Sequence, residues 1–249
     1  MKYLLALLLL LPSPVFASCK HRNLNQLSDR TGVQIHCDYD RDAYFNNSFK
    51  QNCKNTSAKS PRFVNPEFIE NAIERFLRVY PKKLLADNLK NIYLLSELRC
   101  GKYTLGGTYD ETSKSIYLNT YTFEEGYLFV WYVKSLHHEF SSILQHHNSR
   151  QMSFPEFESI SGANTYDESV VNDCLHNPQA RCNEGSRELY QKGILHYYGT
   201  DSVENDFNIY VEYLFTAPKE LSELAKNYPL INTKAQMVKR FYSYLGVRF

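Results

Sequence analysis

Apolar positions recur at two different periods along this chain, and the change of period divides it. Behind Asn65-Pro66-Glu67, a capping residue, a first-turn proline and an acid favoured by the helix dipole, come Phe68, Ile69, Ala72, Ile73, Phe76 and Leu77. That spacing predicts an amphipathic helix ending near Pro81. Ile92 to Leu98 is a short apolar run. Tyr103 to Tyr109 and Ser115 to Asn119 alternate on either side of the polar turn Asp110-Glu111-Thr112-Ser113-Lys114, which predicts a hairpin. From Tyr127 to Leu144 the apolar residues return to helical spacing and cover most sides of the first turns, the pattern of a central buried helix.

A loop rich in Ser, Asn and Gly is expected from Asn148 to Glu184. Helical patterns follow at about Ser186 to Tyr198, Val203 to Phe215 and Asn232 to Leu245, with a short one from Pro218. Residues 18–62 are polar, Asn-rich and carry three cysteines, so they read as an extended, disulfide-tied segment with one strand at Val33 to Cys37. There are no internal repeats and no low-complexity tracts. The order of helix, strands, central helix and helical second half predicts an α+β protein with a mostly helical C-terminal lobe.

The first residues change the picture. Lys2, the apolar run Tyr3 to Leu11, the Pro12/Pro14 break and Val15-Phe16-Ala17 have the form of a cleavable signal peptide over residues 1–17. The run is short of the roughly 20 residues of a spanning helix. Cys19 raises a lipoprotein alternative, though Phe16 fits the residue expected three positions before an acylated cysteine badly. The expected division is a signal peptide, the tied segment 18–64, and one domain 65–249 with an upper lobe 65–148 and a helical lower lobe 149–249. No later run is long enough to span a membrane, so the processed protein is expected to be secreted or periplasmic, without an integral membrane segment.

Lys plus Arg number 28 against 27 Asp plus Glu, with no basic stripe, which argues against a nucleic-acid partner. Six cysteines in an exported chain allow up to three disulfides, with Cys174–Cys182 a natural local pair. The absence of any C-x-x-C spacing argues against a zinc cluster built from them.

One constellation carries chemistry. The central helix contains His137-His138-Glu139-Phe140-Ser141-Ser142-Ile143-Leu144. A His-Glu-x-x-His helix places two imidazoles one turn apart on one face so that both reach one zinc ion, while the intervening Glu acts as general base on the metal-bound water. His138 and Glu139 supply the first two parts; the second His is Ser142. His146 lies eight residues on, about 12 Å along the helix axis and off the face, and His147 is farther round. Other donors must come from elsewhere, and Glu204, Asp206, Asn208 and Glu212 offer oxygens at helical offsets: Glu204, Asn208 and Glu212 on one stripe, Asp206 and Tyr210 on another. The plainer reading of Glu204 and Asp206 is that of first-turn acids favoured by the helix dipole.

The segment His137 to Leu144 resembles the active-site helix of a family of bacterial exported zinc-binding metallopeptidases, which reads His-His-Glu-Phe-x-His-Ile-Leu. It departs at Ser142. Glu204-Asn205-Asp206-Phe207 looks like that family's acidic helix, and Gly193-Ile194-Leu195-His196-Tyr197-Tyr198-Gly199 like its lead-in. The resemblance spans about residues 65 to 246, with only the two short motifs specific. It implies a zincin-like fold with zinc as cofactor, His138 as a ligand, Glu139 as general base, and Asp206 or Glu204 as the acidic ligand; Ser142 and Glu212 are further oxygen donors that the residues themselves offer.

Three functions are compatible with these residues. The first is an exported metallohydrolase, a peptidase acting on envelope or extracellular polypeptides through an atypical zinc site. The second is an inactive zincin-fold module that binds an envelope protein or a peptidoglycan peptide. The third is a metal-free hydrolase using Glu139 with His138. No Gly-x-Ser-x-Gly elbow surrounds Ser141 or Ser142, which disfavours a serine hydrolase.

Overall fold

Alternation within two strands explains how the chain is layered. In β3 (Asn91–Cys100) and β6 (Ser115–Asn119), Ile92, Leu94, Ile116 and Leu118 point to one side and Tyr93, Leu95 and Tyr117 to the other. Both sides are buried, so the sheet is covered on both faces. The structure is a computed structural model that describes residues 22–38, 44–61, 66–120, 129–162, 165–176 and 181–249. The signal-peptide segment 1–17, Cys19 and the capping Asn65 lie outside the described residues.

The six-stranded mixed sheet runs in the order β1 (Gln34–His36), β3, β6, β5 (Gly107–Asp110). β1, β3 and β6 are parallel, and β5 is antiparallel to β6. β2 (Ser57–Lys59) and β4 (Tyr103–Thr104) pair with the far end of β3. The expected hairpin is therefore shorter than its pattern. Gly107 to Asp110 pairs with β6, while Tyr103 and Thr104 turn back onto Cys100 and Arg99 of β3. The Asp110 carboxylate closes the turn by accepting from the Thr112 N–H and the Ser113 hydroxyl.

On one face of the sheet lie the helices. α3 (Pro66–Arg78), α4 (Lys82–Asn88) and the long α5 (Phe129–His147) pack together and against the strands, and α5 also packs along α9 (Val203–Thr216). Within the expected helical row of α3, Ile69, Ala72, Ile73, Phe76 and Leu77 are buried and Phe68 is exposed. The C-terminal half is helical, as its periodicity predicts: α9, α10 (Pro218–Asn227) and α11 (Pro229–Tyr244). The expected loop 148–184 instead holds α6 (Phe154–Ser161) and α7 (Ser169–His176), eight-residue helices too short to show a clear period. The helical pattern at Ser186 to Tyr198 reduces to α8 (Arg187–Gln191), because Gly193 turns to a positive φ of 71° and stops it.

The N-terminal segment, expected to be extended, instead forms α1 (Arg22–Thr31) and α2 (Asn47–Asn52) before and after β1 in the chain; α1 joins the helices of the first face, packing with α3 and α4, and α2 covers the other face. Few apolar residues are needed for this: Leu24 and Leu27, one turn apart on α1, are buried, and Asn46 caps α2 by accepting from the Phe49 N–H. Tyr44, Phe45 and Phe49 then stack against Tyr93 and Tyr117. Cys53–Cys100 ties this segment to the end of β3, and Cys174–Cys182 forms as the local pair.

Phe140 sits at the centre of the helical core, fully buried and edge-on to Phe76 and Tyr80. Phe140→Ala should lower stability to urea unfolding by about 3–5 kcal/mol, since it removes a large ring from a packed site. Val130→Ala, on the exposed side of the same helix, should stay within about 0.5 kcal/mol.

Candidate functional site

Residues four apart on α5 form two parallel rows, Val130-Lys134-His138 and Trp131-Ser135-Glu139, and both rows line a cavity of about 570 Å³. The other walls are Leu105, Gly106 and Gly107 leading into β5, Glu212 of α9, and His196 and Tyr198 from the segment before α9. The strand lies close over the helix because Gly106 and Gly107 have no side chains. A Cβ at Gly106 would stand 2.8 Å from the Trp131 ring, and one at Gly107 3.0 Å from the Glu139 carboxylate.

His138 is held at both ring nitrogens. Nδ1 is 2.8 Å from Glu212 Oε1 and Nε2 is 3.1 Å from Asn205 Oδ1. The Asn205 amide is oriented by its own donation to Asp201 Oδ2 at 2.7 Å, so its oxygen faces the imidazole. Both partners of His138 are acceptors, and both nitrogens must donate: the ring is an imidazolium. Burial works against that charge. The Glu212 hydrogen bond, the charges of Glu139 and Glu212 and the Asn205 contact together overcome burial and push the pKa up to about 9. Burial also opposes the Glu212 carboxylate, but the His138 bond and charge hold it below its ordinary value. Lys134 adds a second cation 3.9 Å from Glu212.

Glu139 differs from Glu212. Burial raises its pKa, the charge of His138 lowers it, and Glu204 and Glu212 raise it again, leaving it at about 7. Among the described residues no side chain hydrogen-bonds its carboxylate.

The remaining sequence candidates take separate positions. Ser142 lies one turn beyond His138, fully buried, and accepts from Asn208 Nδ2 at 2.8 Å; Gln145 in turn donates to Asn208 Oδ1 at 2.6 Å. Glu204 accepts from the Tyr109 hydroxyl at 2.9 Å, and that hydroxyl also meets His146 Nε2 at 3.0 Å. Asp206 is not brought to His138. It is fully buried against α11, paired with the fully buried Lys234 at 2.5 Å and accepting from the Tyr166 hydroxyl at 2.8 Å. Its carboxylate serves a structural ion pair, raised by burial and lowered by Lys234 and Tyr166 to a pKa of about 6. His137 belongs to the core. It stacks on Phe215 with ring centroids 4.5 Å apart and takes a hydrogen bond from the Tyr80 hydroxyl at 2.7 Å.

The structure thus brings together His138, Glu139 and Glu212, sets Glu204 alongside, buries Ser142 beneath the cavity, and places Asp206 elsewhere. Sequence reasoning missed Asn205, Lys134, Trp131 and Tyr198. Lys134 and Trp131 could have been found from their i, i+4 and i, i+8 offsets to His138 and Glu139.

A catalytic peptidase zinc takes three protein ligands and leaves one position open. Among the described residues no three His, Cys, Asp or Glu side chains are arranged to hold a metal ion. Of the two imidazoles lining the cavity, His138 has both nitrogens donating and His196 meets the Cys182 carbonyl through Nδ1 at 3.0 Å, while the hydroxyl at the second ligand position is engaged by Asn208. This donor set does not fit zinc.

No family model matches the chain, and no curated protein matches it. Among solved structures it is similar to a Bacteroides caccae protein described as a "putative zinc-binding metallo-peptidase". The two share 15% identity over 88% of this chain and 81% of the other, with a TM-score of 0.50. At that identity the likeness is one of fold: a mixed α/β architecture with a helical C-terminal part.

Two measurements test the assignment of core and site. Lys234→Met should cost about 3–5 kcal/mol in urea unfolding because it leaves Asp206 buried without its cation, whereas Lys234→Met with Asp206→Leu should recover much of the loss. His137 is held neutral by burial, assisted by the charge of Arg75, with its pKa pushed down to about 3. Below pH 6.5 the unfolded chain takes up a proton that the folded chain refuses, so stability falls as pH drops through that window, by about 2 kcal/mol at pH 5. A His137→Phe protein should show a flatter stability profile between pH 7 and pH 4.

Proposed function

We propose that the protein is an exported zincin-fold module that binds an extended segment of an envelope polypeptide in the His138–Glu139 cleft, without zinc. The observation carrying this reading is the engagement of both His138 nitrogens by Glu212 and Asn205. An imidazolium has no lone pair to give a metal, and the neighbouring ligand position is a buried hydroxyl.

Binding of an extended chain is supported by the edge of the sheet. β5 is the last strand in the order and pairs only with β6 among the described residues, and it borders the cavity through Gly107. A peptide lying along β5 would gain main-chain hydrogen bonds there while its side chains enter the cavity beside Trp131 and Tyr198. Disulfides, and the absence of a helix able to cross a membrane among the described residues, are compatible with export.

Zinc content decides between this reading and a metallohydrolase. Protein purified without chelators should carry substoichiometric zinc, equal in wild type and His138→Ala, and its melting temperature should not respond to EDTA. Near-stoichiometric zinc that disappears in His138→Ala would overturn the proposal.

A further inference from the structure

The charges around the cleft are unevenly paired. Glu139 and Glu212 line the cavity with Lys134 and His138, and Glu204 and Glu212 both lie within electrostatic range of Glu139. The two cations that reach the cavity, His138 and Lys134, both converge on Glu212, at 2.8 and 3.9 Å. Glu204 is stabilised by the Tyr109 hydroxyl. Glu139 is left with the charge of the adjacent imidazolium and no hydrogen-bonded partner among the described residues.

Its position supplies a second, independent observation. The Glu139 carboxylate meets the backbone at Gly107 and the Trp131 ring meets it at Gly106, consecutive residues leading into the edge strand. Consecutive Cα atoms are about 3.8 Å apart, so an indole and a carboxylate open onto the same short stretch of strand. An aromatic face beside a carboxylate recognises a cation on an aliphatic stem: the ring takes the methylenes and attracts the charge, and the carboxylate pairs with it. Beyond this pair the wall carries the uncharged Val130, Ser135 and Tyr198, while the cations Lys134 and His138 are drawn to Glu212.

We infer that the cleft selects peptides carrying a lysine or arginine side chain, which seats between Trp131 and Glu139. This rests on the peptide-binding reading above and adds the chemical class of the ligand.

Trp131 is the sole tryptophan of the chain, so its fluorescence reports directly on the cleft. The full processed protein is titrated with three extended peptides identical except for a central arginine, norleucine or glutamate. Arginine should bind about tenfold tighter than norleucine, the scale of one charge-assisted hydrogen bond, and glutamate weakest. The arginine-to-norleucine ratio should fall towards one in Glu139→Gln. In wild type the ratio should also shrink as salt rises from low to high ionic strength, a readout that does not depend on the variant folding. Equal affinities for all three peptides, with salt-independent ratios, would overturn the cation preference and leave the peptide-binding proposal standing. No change in Trp131 fluorescence or bound fraction with any peptide would overturn both. A cation preference unchanged in a folded Glu139→Gln protein would show that Glu139 is not the seat of the charge and overturn the inference as drawn.

Discussion

The packing of α5 against α9 is the contact on which the site depends, and its middle is polar. His138, Ser142 and Gln145 on one helix face Asn205, Asn208 and Glu212 on the other, and each of the six bonds across the seam. The surrounding interface is apolar, with Leu136, Phe140, Ile143, Phe207, Ile209 and Val211 fully buried. Burying a polar group without a partner costs on the order of 1–3 kcal/mol, more for a charge, so a relative shift of the two helices by one residue would strand several groups at once. The seam therefore fixes the register of the helices, and with it the positions of Lys134, His138, Glu139 and Glu212 along the cavity wall.

The same atoms cannot serve a seam of this kind and a metal. Coordination needs a neutral imidazole with a free lone pair, a second donor one turn away and an acid turned towards both. Here the acid is turned towards the imidazole itself, and the charge it induces makes the ring a donor at both nitrogens. Asn205 completes the arrangement by presenting its oxygen, an orientation fixed in turn by Asp201. Side chains bridge the two helices directly across this seam. What the cavity retains is shape, an edge strand and a carboxylate facing solvent-accessible space.

The elements that were legible in the sequence are those whose pattern is local. Ile69 to Leu77 and Val133 to Leu144 repeat at helical spacing because one face of each helix is buried, and Ile116 to Leu118 read as strand because both faces are covered. What was not legible is non-local. Tyr103 and Thr104 alternate with the strand that follows, yet they pair with β3, because the chain turns at Gly101 and Lys102. α1 needed only Leu24 and Leu27 from an otherwise polar stretch. In the candidate site, His138 and Glu139 were recognisable from a motif, whereas Asn205 carries no charge to attract notice. Asp206 looked like a first-turn acid or a ligand, and its true partner is a lysine 28 residues away that reads as surface.

That last pair bears on how the cleft works. Asp206 lies roughly 100° round α9 from Asn205, so the helix is held on one side by the His138 seam and on another by the sealed Lys234 contact. Replacing a buried ion pair with apolar residues is often neutral for stability, so the value of such a contact lies in geometry rather than energy. Two directional contacts on different faces leave α9 little freedom to roll, and α5 is fixed to it through the seam. The floor of the cavity is consequently held in place, while its rim is β5, whose outer edge has no partner strand among the described residues. In the proposed binding mode a ligand meeting a fixed floor gives up its own freedom but demands no reorganisation of the protein, and that difference would let a short peptide bind where a looser cleft would not hold it.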